Sequence, residues 1–202
     1  MIVAALLLAT QVAAQDSRLE RLDPDTRSAV SAVVDSARSA GLPAEALIQR
    51  ALEGATKGAP GARIVAAVRR LTVDLGTART ALGTNASGPE LEAGVAALRA
   101  GATPQVLTQL RTVRRPPLTM ALSVVADLVA SGVPADSAAA AVLALAPKAR
   151  DADLVEFRRA VERDIALGAP PGAATSVRVN AGALDNAYGV GSGNTPRPPS
   201  RP

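Results

Sequence analysis

Gly132, Val133, Pro134, Ala135 and Asp136 form the stretch that decides the fold of this 202-residue chain. Residues 41–45 nearly repeat it, since they read Gly, Leu, Pro, Ala and Glu. Glycine readily adopts the left-handed conformation that follows the last turn of a helix, and proline is pre-set for the first turn of the next one. The stretch therefore predicts a tight corner between two helices.

The same pairing of glycine and proline divides most of the chain. It occurs at Gly41 and Pro43, Gly58 and Pro60, Gly101 and Pro104, Gly132 and Pro134, and Gly168 and Pro170. Between these corners, apolar residues recur at intervals of three and four, as along one face of a helix. We therefore predict an all-α protein, with helices that include 60–82, 89–100, 104–114, 117–131, 134–146, 151–167 and 171–179.

The corners also recur at similar distances. Gly132 follows Gly101 by 31 residues, and Gly168 follows Gly132 by 36. A longer helix, a corner and a shorter helix that recur at this spacing are typical of helical-hairpin repeats. The sequence thus predicts either an α-solenoid-like array of helical hairpins or an irregular antiparallel bundle of about eight helices.

Polar residues at four helix starts support these boundaries. Asp23 precedes Pro24 and Thr103 precedes Pro104, while Ser87 and Glu90 have the spacing of a capping box. Asp151 stands before the apolar residues of the next predicted helix. Each of these side chains suits the unpaired N–H groups of a first helical turn.

The two ends of the chain differ from the helical part. Ile2 to Ala9 is almost entirely apolar, and Val12 and Ala14 have the small side chains found before a secretory cleavage site. We therefore expect a signal peptide over residues 1–14, export to the periplasm or cell envelope, and one all-α domain over residues 15–180. Residues 181–202 are rich in Gly, Pro and Arg and predict a disordered tail.

Composition excludes many kinds of chemistry. The chain has no His and no Cys, so the usual ligands of zinc, haem and iron–sulfur clusters are missing, as are the commonest acid–base group and the thiolate nucleophile. We expect no metal, no cofactor and no enzymatic activity. A small all-α hydrolase that uses paired carboxylates remains an alternative, although one Phe and one Tyr offer little surface for sugar rings.

Charge indicates a candidate binding patch. No acidic residue lies between Glu92 and Asp127, whereas Arg99, Arg111, Arg114 and Arg115 fall in that interval. An uncompensated group of Arg side chains beside Pro116 and Pro117 can hold a carboxylate, a phosphate or an anionic lipid headgroup. A solvated helix end is the alternative interpretation. Nucleic acid is a poor candidate, because the net charge is only +4 and aromatic side chains for stacking are scarce.

These features predict a non-enzymatic exported helical protein that binds or scaffolds other proteins in the cell envelope. The alternative function is that of a peripheral, extrinsic subunit that stabilises a membrane protein complex. Its partner would then be that complex or an anionic membrane surface. Successive helical hairpins offer an extended surface, and docking requires no catalytic group.

Overall fold

The computed structural model describes residues 16–188, and nine α-helices with no strand are found in this part of the chain. The predicted all-α class is therefore confirmed. A 3₁₀ helix, Ser17–Arg21, precedes the α-helices. These are α1 (Pro24–Ser39), α2 (Ala44–Thr56), α3 (Gly61–Leu82), α4 (Gly88–Arg99), α5 (Pro104–Val113), α6 (Thr119–Ala130), α7 (Ala135–Leu145), α8 (Asp151–Ala166) and α9 (Pro171–Tyr188).

All five predicted corners close in the same way. Their glycines have positive φ angles, and each corner carries the paired backbone hydrogen bonds of a Schellman motif. At Gly132, for example, the N–H of Val133 donates to the carbonyl of Leu128 at 3.0 Å, and the N–H of Gly132 donates to that of Val129 at 2.9 Å. Val133 and Leu128 are both buried, so the turn also adds an apolar contact.

The predicted caps are confirmed in part. Asp23 Oδ1 accepts a hydrogen bond from the N–H of Thr26 at 3.0 Å, and Ser87 with Glu90 forms a capping box. Thr103 occupies the cap position of α5 without a side-chain hydrogen bond. Asp151 is the first residue of α8, and Arg150 occupies the cap position before it. The N–H of Arg150 donates to the carboxylate of Asp153.

Packing divides the chain into two compact units, Met1–Gly76 and Thr77–Pro202, whereas the sequence predicts one helical domain over residues 15–180. The division falls inside α3. The apolar positions of this helix, from Ile64 to Leu82, continue at regular spacing and are buried on both sides of Gly76. Because this spacing is uninterrupted, nothing in the sequence marks a boundary there.

In the first unit, the 3₁₀ helix packs on both α1 and α2, which also pack on each other. The fully buried residues of this core include Leu19, Val30, Val34, Leu47 and Ile48. Arg18 bridges Asp16 and Glu45, with the shortest approach to Glu45 at 2.8 Å. The unit therefore has an aliphatic core, and this charge network links the residue before the 3₁₀ helix to α2.

The second unit is a repeat of helical hairpins in two layers. Helix α6 packs between α4 and α8, and α7 packs between α5 and α9. Within the hairpins, α6 also packs on α7 and α8 on α9. Gly101, Gly132 and Gly168 each join the two helices of one hairpin, which explains why the corners recur at the distances seen in the sequence.

The last helix extends further than the sequence predicts. Helix α9 continues to Tyr188, beyond the predicted end at residue 179 and into the segment predicted to be a disordered tail. Ala181, Ala183, Leu184 and Ala187 all have high helix propensities, which favours this continuation. The rest of the predicted tail and the predicted signal peptide lie outside the described residues.

Candidate functional site

The connection between α3 and α4 forms one wall of the candidate site. Helix α3 ends at Leu82, and Gly83 follows with a φ of 92°, a conformation that L side chains rarely adopt. The N–H of Gly83 donates to the carbonyl of Arg79 at 2.8 Å and closes the last turn. The chain then passes through Thr84, Asn85 and Ala86 before Ser87 caps α4.

Glu90 joins this connection to the one between α5 and α6. Its side chain is buried, with an exposed fraction of 5%. One carboxylate oxygen accepts the N–H of Leu118 at 2.8 Å, and the other accepts the N–H of Ser87 at 2.9 Å and the hydroxyl of Ser87 at 2.7 Å. Two connections that are distant in sequence are therefore fixed by a single carboxylate.

The protonation of Glu90 follows from the same contacts. Burial raises the pKa of this carboxyl, but the N–H groups of Ser87 and Leu118 and the hydroxyl of Ser87 outweigh that effect and hold the pKa below its usual range. Glu90 is therefore a charged structural group at neutral pH.

Arg111 lies above the glycine that ends α3. It belongs to the last turn of α5, and its side chain is exposed. A Cβ atom placed on Gly83 would lie 2.6 Å from Arg111 Nη1, so the missing side chain at Gly83 is what lets the guanidinium approach the backbone. Among residues 16–181, whose side chains the structure describes, no carboxylate forms an ion pair with Arg111.

These groups surround a cavity of about 300 Å³, which we call the corner pocket. It is lined by Leu82, Gly83, Thr84, Asn85, Ala86, Glu90, Arg111, Pro116 and Leu118. Arg111 supplies the positive charge, and Thr84 and Asn85 add neutral polar side chains. The pocket has the volume and the donors to hold a small anionic group.

Arg114 does not belong to this group, and for it the expectation of an uncompensated cation is wrong. Its side chain is only 12% exposed and forms an ion pair with Asp151 at 2.5 Å. Its Nη1 donates to the carbonyls of Ala146 and Ala149, which follow the end of α7. A guanidinium in this position satisfies carbonyl groups at a helix end, so Arg114 is a structural brace.

The structure separates the two remaining predicted residues. Arg115 is exposed and directly precedes Pro116, which lines the corner pocket and forms a cis peptide bond with Pro117. Arg99 lies in the last turn of α4, next to the Gly101 corner, and it has an interaction of its own. Leu107 of α5 packs against Gly94 of α4, so the chain reverses between Arg99 and Arg111, and these two residues lie at opposite ends of the hairpin.

Acidic groups elsewhere are held in their charged form. Hydrogen bonds and ion pairs lower the pKa of seven carboxyl groups, in two cases to about 2, at Asp16 and Glu45. The others are Asp23, Glu53, Glu90, Asp153 and Asp164. Up to residue 181, where the described side chains end, no group of three or more acidic side chains is arranged to hold a metal ion.

Sequence reasoning found Arg111 but missed the contacts that make it distinctive. The capping box predicts the bonds between Ser87 and Glu90, yet nothing in the sequence connects Glu90 with Leu118. Gly83 has no proline after it, so the pattern that finds the other corners does not find this one. Gly83, two residues before Asn85, was the one feature of the sequence that could have indicated a turn at this point.

Comparison with known proteins adds no identification. Neither family models, nor curated proteins, nor solved structures contain a match to this chain. A separate property bears on the membrane question: across the described helices, none has both the length and the hydropathy needed to cross a bilayer.

Proposed function

We propose that this protein is a non-enzymatic binding or scaffolding protein that is exported and acts on other proteins in the cell envelope. The observation that carries the proposal is the two-layer array of helical hairpins in the second unit, α4 with α5, α6 with α7 and α8 with α9. Arrays of this kind present one extended surface built from equivalent helices.

Polar contacts link neighbouring helices of the array. Arg158 on α8 pairs with Asp127 on α6 at 2.5 Å, and Arg178 on α9 pairs with Asp164 on α8 at 2.7 Å. Glu90 adds a further link between α4 and the residue that precedes α6. Helices that are already linked in the free protein lose less conformational entropy when a partner binds, so these contacts agree with a binding role.

Seven carboxyl groups are unsuited to act as general acids. A carboxyl group in that role at neutral pH needs a raised pKa. The seven carboxyl groups named above have lowered pKa values, since each is held by cap or ion-pair contacts. Their contacts are those of structural groups, which agrees with a binding role.

The test is a gentle capture of the full-length tagged protein from its own cells, with the mature N-terminus determined by mass spectrometry. We expect a stoichiometric protein partner and a chain that begins after Ala14. The tag alone is the control for adventitious capture. Recovery of the chain without any partner above this control would contradict a binding function, and an N-terminus at Met1 would contradict export.

A peripheral subunit of a membrane complex is the second candidate, and the exposed Arg111 and Arg115 favour it. Such a subunit would sediment with membranes at low salt and be released at high salt, because screening weakens exposed charge pairs. Sedimentation with membranes at both salt concentrations, or at neither, would contradict this form of the proposal.

A further inference from the structure

The corner pocket contains a cation that the fold itself does not use. Arg111 lines the cavity and forms no ion pair in the described part of the chain, while its neighbour Arg114 is engaged with Asp151 and two carbonyl groups. The interval from residue 93 to residue 126 contains no acid that could neutralise it locally. The two arginines thus differ in kind: Arg114 braces the fold, and Arg111 is available to a ligand.

The guanidinium of Arg111 is also positioned. It lies against Gly83, where a Cβ atom would approach Arg111 Nη1 to 2.6 Å. The guanidinium therefore lies at the cavity that Thr84, Asn85 and Pro116 also line. A planar guanidinium can form two parallel hydrogen bonds with one carboxylate, so a carboxylate ligand suits this position.

The charge balance of the pocket favours a ligand with a single negative charge. Glu90 contributes a negative charge to the lining, with both oxygens already accepting hydrogen bonds. This leaves one guanidinium, that of Arg111, for the ligand, and one guanidinium matches one carboxylate through two parallel hydrogen bonds. Pro116 adds apolar surface to the lining, and the exposed Arg115 that precedes it in the chain adds positive charge nearby.

We propose that the corner pocket binds a Glu or Asp side chain of an acidic segment in the partner protein, with Arg111 as the group that receives the carboxylate. This inference rests on the proposed binding function and specifies the chemistry of the partner. Arg115, which is exposed and precedes Pro116, adds positive charge nearby, and Arg114 makes no contact with the partner.

The test uses the full chain and two blocked peptides, acetyl-Gly-Glu-Val-Glu-Gly-amide and its counterpart with Gln in place of both Glu residues. Amide NMR shifts of Gly83, Asn85 and Ala86 are followed as each peptide is added at low salt. We expect saturable shifts with the Glu peptide and none with the Gln peptide. Arg111→Ser should weaken binding about tenfold, as expected when one charge-assisted contact is lost.

Arg159→Ser is the matched control, because Arg159 is an exposed arginine of the same unit that forms no ion pair with the side chains described at residues 16–181. It removes the same charge and should leave the affinity within about twofold. Equal losses in Arg111→Ser and Arg159→Ser would overturn the proposal by showing a general charge effect. Inorganic phosphate that binds the same amides more tightly than the Glu peptide would overturn it as well.

Capture from cells separates this inference from the proposed function. If the wild-type chain retains a partner and Arg111→Ser retains it equally, the acidic-segment proposal fails while the binding function stands. If no partner is captured but the Glu peptide binds at Gly83, the pocket chemistry stands and the proposed function fails. If the chain binds vesicles of anionic lipid but does not respond to the Glu peptide, the site belongs to a membrane surface and the proposal is overturned.

Discussion

The corners within hairpins and the connections between hairpins are stabilised by different means. The turns at Gly101, Gly132 and Gly168 are closed by backbone hydrogen bonds between residues at most five apart. The connections at residues 83–87, 114–118 and 146–150 also have local bonds, but each is held in addition by Glu90 or Arg114, and both of these side chains bind groups about 30 residues away along the chain. Local chemistry therefore makes each hairpin, and two charged side chains fix how successive hairpins are joined.

This difference explains why the candidate site lies where it does. Glu90 holds the 83–87 and 114–118 connections next to each other, so residues of both can line one space between them. The corner pocket occupies such a space, where the 83–87 and 114–118 connections meet at Glu90. If the comparison is correct, substitutions at Glu90 and Arg114 will reduce stability more than the loss of any one local corner.

The largest effect is expected at Glu90. Glu90→Ala removes the acceptor of three hydrogen bonds and leaves the N–H groups of Ser87 and Leu118 unsatisfied, which should lower the free energy of unfolding by about 3 kcal/mol. Urea denaturation of the full chain measures this. Glu92→Ala is the control, since Glu92 is exposed on the same helix, and it should change the free energy by less than about 0.5 kcal/mol. Similar changes in the free energy of unfolding for the two variants would show that Glu90 does not stabilise the two connections.

Arg114 should follow with a somewhat smaller effect. Arg114→Met keeps an apolar stem but removes the donors to Ala146 and Ala149 and the ion pair with Asp151, which should destabilise the protein by about 2 kcal/mol. Arg115→Met changes the same charge at an exposed position and should stay within about 0.5 kcal/mol. In Arg114→Met, amide hydrogen exchange at the end of α7 should be faster than in the wild type. Unchanged exchange there would contradict a structural role of Arg114 at this helix end.

The sequence was sufficient for whatever depends on neighbours in the chain. The Gly and Pro pairs, the periodic apolar residues and the Ser87 cap are local signals, and they predict the helices, the corners and the hairpin repeat. Arg111 was also found, because a gap in acidic residues is visible in a sequence. The partner of Arg114 was not found, since Asp151 lies in a later helix and becomes its neighbour only after the hairpins pack.

A local corner provides the next smaller effect. At Gly132 the φ angle is 93°, so Gly132→Ala forces an L side chain into the left-handed region and should cost about 1 kcal/mol. Gly172→Ala is the matched control, because Gly172 lies in the first turn of α9 and a Cβ there would meet no atom within 4 Å. That variant should be neutral or slightly stabilising, since Ala favours helix. If Gly132→Ala lowers the free energy of unfolding more than Glu90→Ala does, the local corners contribute more to stability than the contacts between hairpins.

The smallest effect concerns pH. The pKa of Glu90 is lowered in the folded protein, so its stabilising contribution is complete above the pKa of the unfolded chain, about 4.3, and is lost as pH falls through the folded value. Asp153 and Asp164 also have lowered pKa values, because Arg150 and Arg178 hold their charged forms, but they are more exposed and should contribute less. The free energy of unfolding should therefore be nearly constant from pH 7 to pH 5 and decrease below about pH 4.5.

Glu90→Gln separates the buried carboxylate from the exposed pairs. This variant cannot titrate at residue 90, so its stability should decrease less steeply below pH 4.5 than that of the wild type, although it starts from a lower value at pH 7. Glu92→Gln should retain the wild-type slope. If both variants retain it, the acid sensitivity comes from the exposed ion pairs, and Glu90 joins the two connections through the geometry of its hydrogen bonds more than through its charge.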